Sequence, residues 1–545
     1  MDTRRLLIAL ALSLALLFAW QMFYSSMGWG PRREPAPASS PQTQSSTASV
    51  SAGVPFLQAE KDVPAAPGLE VTVETPLYTA VFSPVGGTLK SFALKQYQAT
   101  DPLTLRPSGL PLQIIRAGDL PQGTLGLLLD KRPTWSSGGD GTAEWGYGGN
   151  GHILLEEGRE EIVFNASLDG LKLRRVFSFS ADTYVLREKL SVFSPVPRKV
   201  EIGHLLSTGR LSGPEEYNSA TKIALLRDSG FTDESDLKSL AAWIPYGDRI
   251  RWAGSMGNYF LAAVIPEDPA FSLRAGYQND LFSLLLERPE VSLGPEHTFE
   301  SEFSYYFGPK RRVDLEAAPA DFSQAMEYGW FGWIAAPLLG MLKWFYSFAH
   351  NWGVAIILLT VLIKILLWPL SYKSYKSMEN MKKLQPLMLK IREKYKDDKT
   401  RQNQEVMQLY KTYKVNPMGG CLPIFVQLPV FFGLYRALLS SIELRQADFI
   451  EFLPFSDIVW LADLSLKDPL YITPIIMGLT MLLQQKMTPT SGDPTQAKIM
   501  MFLPVIFTFL FINFPSGLVI YWLFNNIISI LQQYGQMKLS NRKKT

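Results

Sequence analysis

The sequence predicts an integral membrane protein: a bundle of six α-helical transmembrane spans carrying one large all-β domain outside the bilayer. Three observations predict it. Apolar runs gather near Leu6 to Tyr24 and again after residue 340; the long stretch between them alternates in strand-length pieces; and the short loops differ sharply in charge. A hydrocarbon core of about 30 Å takes roughly 20 helical residues to cross, and the runs are of that order. The 47% hydrophobic and 12% aromatic content is more apolar than that of an ordinary soluble enzyme.

Residues 1–25 read as an N-terminal anchor. The run follows Arg4 and Arg5 as in a secretory signal, but its apolar part exceeds the roughly 7 to 15 residues of a signal core. The nearby Ala36-Pro37-Ala38 has a proline in its middle, so an uncleaved anchor is expected over a cleaved signal. The single cysteine, Cys421, falls in an apolar run, so no intramolecular disulfide exists and the exported part relies on an ordinary core. Residues 26–68 are rich in Pro, Ser, Ala and Gln and read as a flexible tether.

Over 69–320 the texture becomes LEVTVET, YTAVFSP, GGTLKSFAL, LRRVFSFS, YVLREKLSVFS and SEFSYYF, each piece bounded by Gly, Pro, Asn or Asp. That is the strand-and-turn pattern of an antiparallel sandwich. The Gly-rich segment Ser137 to Gly151 lacks the Lys-Ser/Thr of a phosphate loop and reads as a surface loop. Residues 321–349 turn helical, with Trp330, Trp333, Lys343, Trp344 and Tyr346 suited to a helix lying at the membrane surface.

Spans follow at 350–370, 417–441 and 469–487, with a loop at 488–496. The run 497–536 is far too long for one crossing, and Asn513-Phe514-Pro515-Ser516-Gly517 inside it signals a turn, so it makes two spans. Loop 371–416 carries twelve Lys or Arg against five acids, and loop 442–468 carries two against six. Short basic loops stay cytoplasmic. The basic tail 537–545 agrees, which puts both termini inside and the β-domain outside.

Loop 371–416 is also patterned. Met378, Met381, Leu384, Leu387, Met388, Ile391 and Tyr395 fall mainly three or four apart, and Val406, Leu409, Tyr410 and Tyr413 repeat the pattern after Lys396 to Thr400. A helical hairpin results. Its exposed cations, Lys382, Lys383, Lys390 and Arg392, suit either a solvated face near anionic lipid or a docking surface for ribosomal RNA or a targeting factor.

No catalytic constellation, metal-ligand spacing or cofactor motif occurs. The histidines His152, His204, His297 and His350 are scattered, and no HExxH, Walker A or GxSxG sequence is present. A non-enzyme is expected, with no cofactor. The spans carry polar groups instead: Thr360, Lys364, Gln427, Arg436, Thr480, Gln484, Asn513, Asn525, Asn526 and Ser529. Most suit interhelical hydrogen bonds of about 0.6 kcal/mol each. Lys364 stands apart, because a charge at depth costs about 2.5 to 3.5 kcal/mol and no span after the anchor holds a carboxylate. It lies about six residues, or about 9 Å, from the cytoplasmic end of its span, so it either snorkels there or faces a hydrated cavity between helices.

The segments NWGVAIILLTVLIKILLWPLSYKSYKSM, KVNPMGGCLPIFVQLPVFFGLYRAL, SIELRQADF and FPSGLVIYWLFNNIISILQQ, spread over Asp321 to Gln536, closely resemble the YidC family of membrane protein insertases. The N-terminal half resembles the periplasmic portion of Gram-negative members. The resemblance implies a five-helix insertase core, a supersandwich fold for the β-domain and a bacterial inner membrane location. It implies a hydrophilic groove open to the cytoplasm and lipid, with Lys364 where relatives typically place arginine. Thr360, Gln427 and Asn525 would be polar groove positions, and Tyr521 and Trp522 would line the path of the incoming helix. The implied partners are nascent membrane proteins, the Sec translocon, the ribosome or signal-recognition machinery, and anionic lipids.

Two rivals have distinct signatures. A transporter or channel with an intramembrane anion site at Lys364 would show internal repeats and paired broken helices, and the sequence shows neither. A carbohydrate-active β-domain would need an acid-base pair, and none stands out among its dispersed carboxylates.

Overall fold

The computed structural model describes residues 70–101, 106–135, 143–211, 221–247, 249–326, 329–413, 415, 422–487 and 494–542. The expected anchor 1–25, the whole tether 26–68 that follows it, and Cys421 lie outside the described residues. The chain divides into two compact units, one ending at Ala325 and one beginning at Met326 apart from two short inserts.

Among the described residues the first unit is built of three sheets. The largest has nine strands in the order Gly230–Glu234, Lys222–Arg227, Ile250–Met256, Phe260–Pro266, Phe299–Pro309, Val185–Phe193, Leu171–Ser180, Arg159–Leu168 and Glu144–Tyr147, every pairing antiparallel. A six-stranded sheet contains Arg198–Thr208 beside Leu281–Leu293, and a five-stranded sheet holds Val71–Glu74, Tyr78–Ser83 and Thr88–Thr100. The alternation in LRRVFSFS becomes alternate burial along Leu171–Ser180, as a strand with one core-facing side requires. The GGTLKSF segment turns at Gly86 and Gly87, both with positive φ (83° and 57°), and a side chain on Gly86 would strike Trp135.

Two expectations need correction here. The Gly-rich segment is not wholly loop, because Glu144–Tyr147 forms the edge strand against Arg159–Leu168. The β-unit also extends past residue 320: Phe322 packs edge-on to Trp252 at 5.0 Å, and Trp252 Nε1 donates to the Asp321 carbonyl at 2.9 Å. Within 321–349 the α-helix therefore starts only at Gly332, after 3-10 turns at Ser323–Ala325 and Gly329–Phe331.

The second unit contains eight longer helices among the described residues: α1 Gly332–Ala349, α2 Trp352–Leu366, α3 Trp368–Lys394, α4 Lys399–Thr412, α5 Leu422–Ser440, α6 Ile472–Met487, α7 Pro494–Phe511 and α8 Ser516–Arg542. Caps mark the joints. His350 ends α1 in the left-handed region, Asn351 Oδ1 receives the Val354 N–H to start α2, and Asp398 Oδ1 receives that of Arg401 to start α4. Helix α1 buries Ala335, Leu338, Leu339 and Leu342 and leaves Trp333, Trp344 and Phe348 exposed. Gly433 lets α5 approach it, since a Cβ there would sit 2.6 Å from Ile334.

The expected span 350–370 is not one straight helix. Helices α2 and α3 meet at Leu367 with a bend of 65°, and Pro369 explains it, because its ring cannot donate to Ile365 and would clash with that carbonyl. No single described helix is long and apolar enough by itself to cross a membrane; the bent pair passes that test jointly. The run 497–536 does divide, with α7 ending at Phe511 and α8 starting at Ser516, but α8 continues into the expected tail as far as Arg542. Loop 442–468 is ordered. It holds a small hairpin, Ile450–Phe452 with Val459–Leu461, and ties to the α7–α8 turn through Ser516 N–H to Leu466 O (2.7 Å) and Gly517 N–H to Leu464 O (3.0 Å).

The outward faces of α6 and α7 present Ile475, Leu479, Leu483, Phe502, Ile506 and Phe509 uncovered. A water-facing surface rarely carries so continuous an apolar patch, whereas lipid is its natural solvent.

Candidate functional site

Helix α8 carries Tyr521, Asn525 and Ser529 four residues apart, which stacks them on one face. Three other helices bring polar side chains to that face. Lys364 of α2, only 7% exposed, donates from Nζ to Ser529 Oγ at 2.7 Å. Gln427 of α5 donates from Nε2 to Tyr521 Oη at 3.4 Å and makes a short contact with Asn525 Oδ1. Ser529 Oγ passes its own hydrogen to the Asn525 carbonyl at 2.7 Å, and Tyr375 Oη of α3 donates to the Ser529 carbonyl at 3.3 Å. Lys364, Gln427, Tyr521 and Asn525 are thus joined in one network with α8 as its spine.

Lys364 turns across to α8 rather than climbing its own helix, so the snorkelling geometry is not the one adopted. Its acceptor is a hydroxyl, and no carboxylate pairs with it among the described residues. Thr360, one turn earlier, is fully buried, but its hydroxyl is returned to the Ile356 carbonyl of its own helix at 2.7 Å. Trp522 stands away from the network. Its ring packs with Phe431 (4.9 Å), Phe511 (5.3 Å) and Phe507 (6.1 Å), because adjacent helical residues point about 100° apart.

Reading the sequence for charge passed over two residues here, Tyr375 and Gln532, and took Ser529 only as one of several interhelical hydrogen-bonding groups. Gln532 lies on the same side of α8, is 7% exposed, and has both amide atoms buried without a partner among the described residues. The spacing 521, 525, 529 and 532 was visible in the sequence, but only helix packing shows which side of α8 is turned inward.

The hairpin α3–α4 closes on Leu384, Met388 and Tyr410, with Leu387, Val406, Leu409 and Val415 against them. Lys382, Lys383 and Lys390 are exposed on its outside, and Lys383 pairs with Glu379 at 3.0 Å. Arg392 is half-buried, and its carbonyl accepts from Gln402 Nε2 at 2.9 Å.

The β-unit has a polar cluster of its own, sealed in the core. Arg175 Nε meets Glu188 Oε1 at 2.6 Å, and Glu188 Oε2 accepts from Tyr305 Oη at 2.7 Å and lies 2.9 Å from His204 Nε2. Burial alone would push the Glu188 carboxyl up, but Arg175 and His204 together hold it well below the usual carboxylate range. Burial and the Glu188 charge push the Tyr305 hydroxyl well above its ordinary value. All four side chains are closed to solvent, so they serve packing and not turnover. The open cleft nearby is rimmed by Asp268, Glu290 and Glu300, each engaged by a cation: Arg288, Lys199 and Lys189 in turn. A free acid-base pair is not found there.

The helical unit with its lipid-suited faces and buried polar network, together with the sheet unit, defines a membrane-embedded helical protein bearing a folded β-domain. Comparison with known proteins narrows that class. The profile of the 60Kd inner membrane protein matches residues 344–544, and that of the YidC periplasmic domain matches 70–341. A membrane protein insertase YidC of Nitratidesulfovibrio vulgaris (strain DP4) is 46% identical, covering 98% of this chain and 99% of that one. The insertase YidC of Oleidesulfovibrio alaskensis is 46% identical over 99% and 100%. A solved structure of a YidC insertase aligns with TM-score 0.38 and 20% identity, covering 86% of this chain and 93% of that one. The chain belongs to the YidC family of membrane protein insertases. It is accordingly an inner-membrane protein with a periplasmic β-domain, in a family of insertases and not of enzymes.

Proposed function

We propose that this chain inserts nascent inner-membrane proteins by offering them a polar path partway through the bilayer, built on the α8 face that gathers Lys364, Gln427, Tyr521 and Asn525. The observation that carries it is the buried Lys364 ammonium, held inside the helical unit by a neutral acceptor. A cation so placed attracts an acidic passenger tail. No bond is made or broken. The polar face spares the tail contact with hydrocarbon, and the client's apolar segment then partitions into lipid at about 25 cal/mol per Å² buried.

In this reading six spans put both termini and the basic hairpin in the cytoplasm. Lys382, Lys383, Lys390 and Arg392 face the ribosome, signal-recognition machinery or anionic lipid, and the protein works alone or with the Sec translocon. Aromatic Trp522 bounds the path beside Tyr521, and Thr360 lines it one turn from Lys364. Protease protection of a small client with an acidic translocated tail, in vesicles depleted of the native insertase, tests the central claim. Lys364→Arg is expected to keep insertion and Lys364→Ala and Lys364→Glu to lower it several-fold; equal insertion by all three would refute it.

A further inference from the structure

We infer that Ser529 is the positioning residue of Lys364, fixing the ammonium against α8 so that its charge faces the interior of the helical unit. The inference rests on the proposed function for its consequence, although not for its geometry. A lysine side chain is a flexible four-carbon stem with many rotamers, so a buried ammonium needs a defined acceptor to stay in one place. Ser529 Oγ supplies it at 2.7 Å. The hydroxyl is oriented for the task, because its hydrogen is committed to the Asn525 carbonyl at 2.7 Å, which leaves its lone pairs directed at Nζ.

The backbone beneath is pinned as well. The carbonyl of Ser529 receives Tyr375 Oη at 3.3 Å, and Tyr375 stands two residues after Lys373 on α3, beyond the bend that follows Lys364. Tyr375 therefore latches α3 to the same residue that α2 engages through Lys364. Ser529 is the point at which three helices, α2, α3 and α8, are joined by side-chain hydrogen bonds. Loss of the hydroxyl frees the ammonium to swing along α2 toward water, a route the bend at Leu367 leaves short.

Two readouts on the full-length protein in proteoliposomes test this. The first is the rate at which a water-soluble acetylating reagent modifies Lys364, followed by mass spectrometry. Ser529→Ala is expected to raise that rate at least two-fold and Ser529→Thr, which keeps a hydroxyl, to restore it. Tyr375→Phe is expected to raise it by a smaller factor. The second is insertion of paired clients that differ only in an acidic or neutral translocated tail. Ser529→Ala is expected to slow the acidic client several-fold more than the neutral one, with rescue by Ser529→Thr.

Alanine is the best helix former, so the first variant is expected to fold, and Tyr375→Phe supplies an independent perturbation if it does not. Unchanged acetylation in the folded variants overturns the positioning role. If acetylation rises but Lys364→Ala itself leaves insertion untouched, the positioning role stands and the proposed use of Lys364 by clients fails.

Discussion

The Arg175 guanidinium and the Glu188 carboxylate meet at 2.6 Å with neither side chain reaching solvent. The guanidinium also donates from Nη1 to the Gly86 carbonyl and from Nη2 to the Leu125 carbonyl, each at 2.7 Å, so one side chain ties two turns to the nine-stranded sheet. Removing one member of such a pair leaves an uncompensated buried charge.

Glu188→Ala is therefore expected to cost about 3 to 5 kcal/mol in the β-domain. Arg175→Lys should also destabilise, since a point charge cannot serve three divergent acceptors. Hydrogen exchange along Leu171–Ser180 in the full chain measures both. Wild-type protection in either variant would show that the pair is dispensable.

The same pair sets an acid limit. The folded carboxyl of Glu188 titrates well below its ordinary value near 4.5, so its contribution is complete above that value and fades as pH falls through the lower folded one. Exchange protection of the same strand should hold from neutral pH to about 5 and weaken below about 4, and Glu188→Gln should flatten that slope. An identical acid profile in Glu188→Gln would assign the limit to other carboxylates.

Gln532 carries a cost that a purely structural residue would not. Its amide is buried without a partner among the described residues, and leaving such a group unsatisfied costs about 1 to 3 kcal/mol. Gln532→Leu is expected to raise the melting temperature of the detergent-solubilised protein and to slow insertion of clients with polar tails. A stabler variant of full activity would remove Gln532 from the path.

On the hairpin, Lys382, Lys383 and Lys390 are exposed, and Lys383 meets Glu379 and Asn380 of its own helix. Reversing all three to Glu should leave the Leu384, Met388 and Tyr410 core intact, weaken ribosome co-sedimentation and flatten its salt dependence. Unchanged co-sedimentation, together with lost binding to anionic vesicles, would name lipid as the partner.

Much of this protein could be read from the chain alone. Period-two alternation identified the strands, because a sheet with one buried face forces it. Apolar runs identified the helices, because hydrocarbon acts on composition directly, and the asymmetry of the basic loops predicts their orientation. Lys364 was conspicuous for the same reason, as a charge where none is cheap. Tertiary structure alone decided three things. Pro369 bends the run 350–370 by 65°, although a proline near a span's end is equally compatible with a plain stop. Trp522 and Tyr521, neighbours in sequence, part company, one to an aromatic cluster and the other to Gln427. Lys364 turns to Ser529 and not along its own helix. The last two outcomes depend on which side of a helix its neighbours cover, and that is set by packing between segments far apart in the chain, 94 residues for Gln427 and Tyr521 and 165 for Lys364 and Ser529, where local sequence carries no signal.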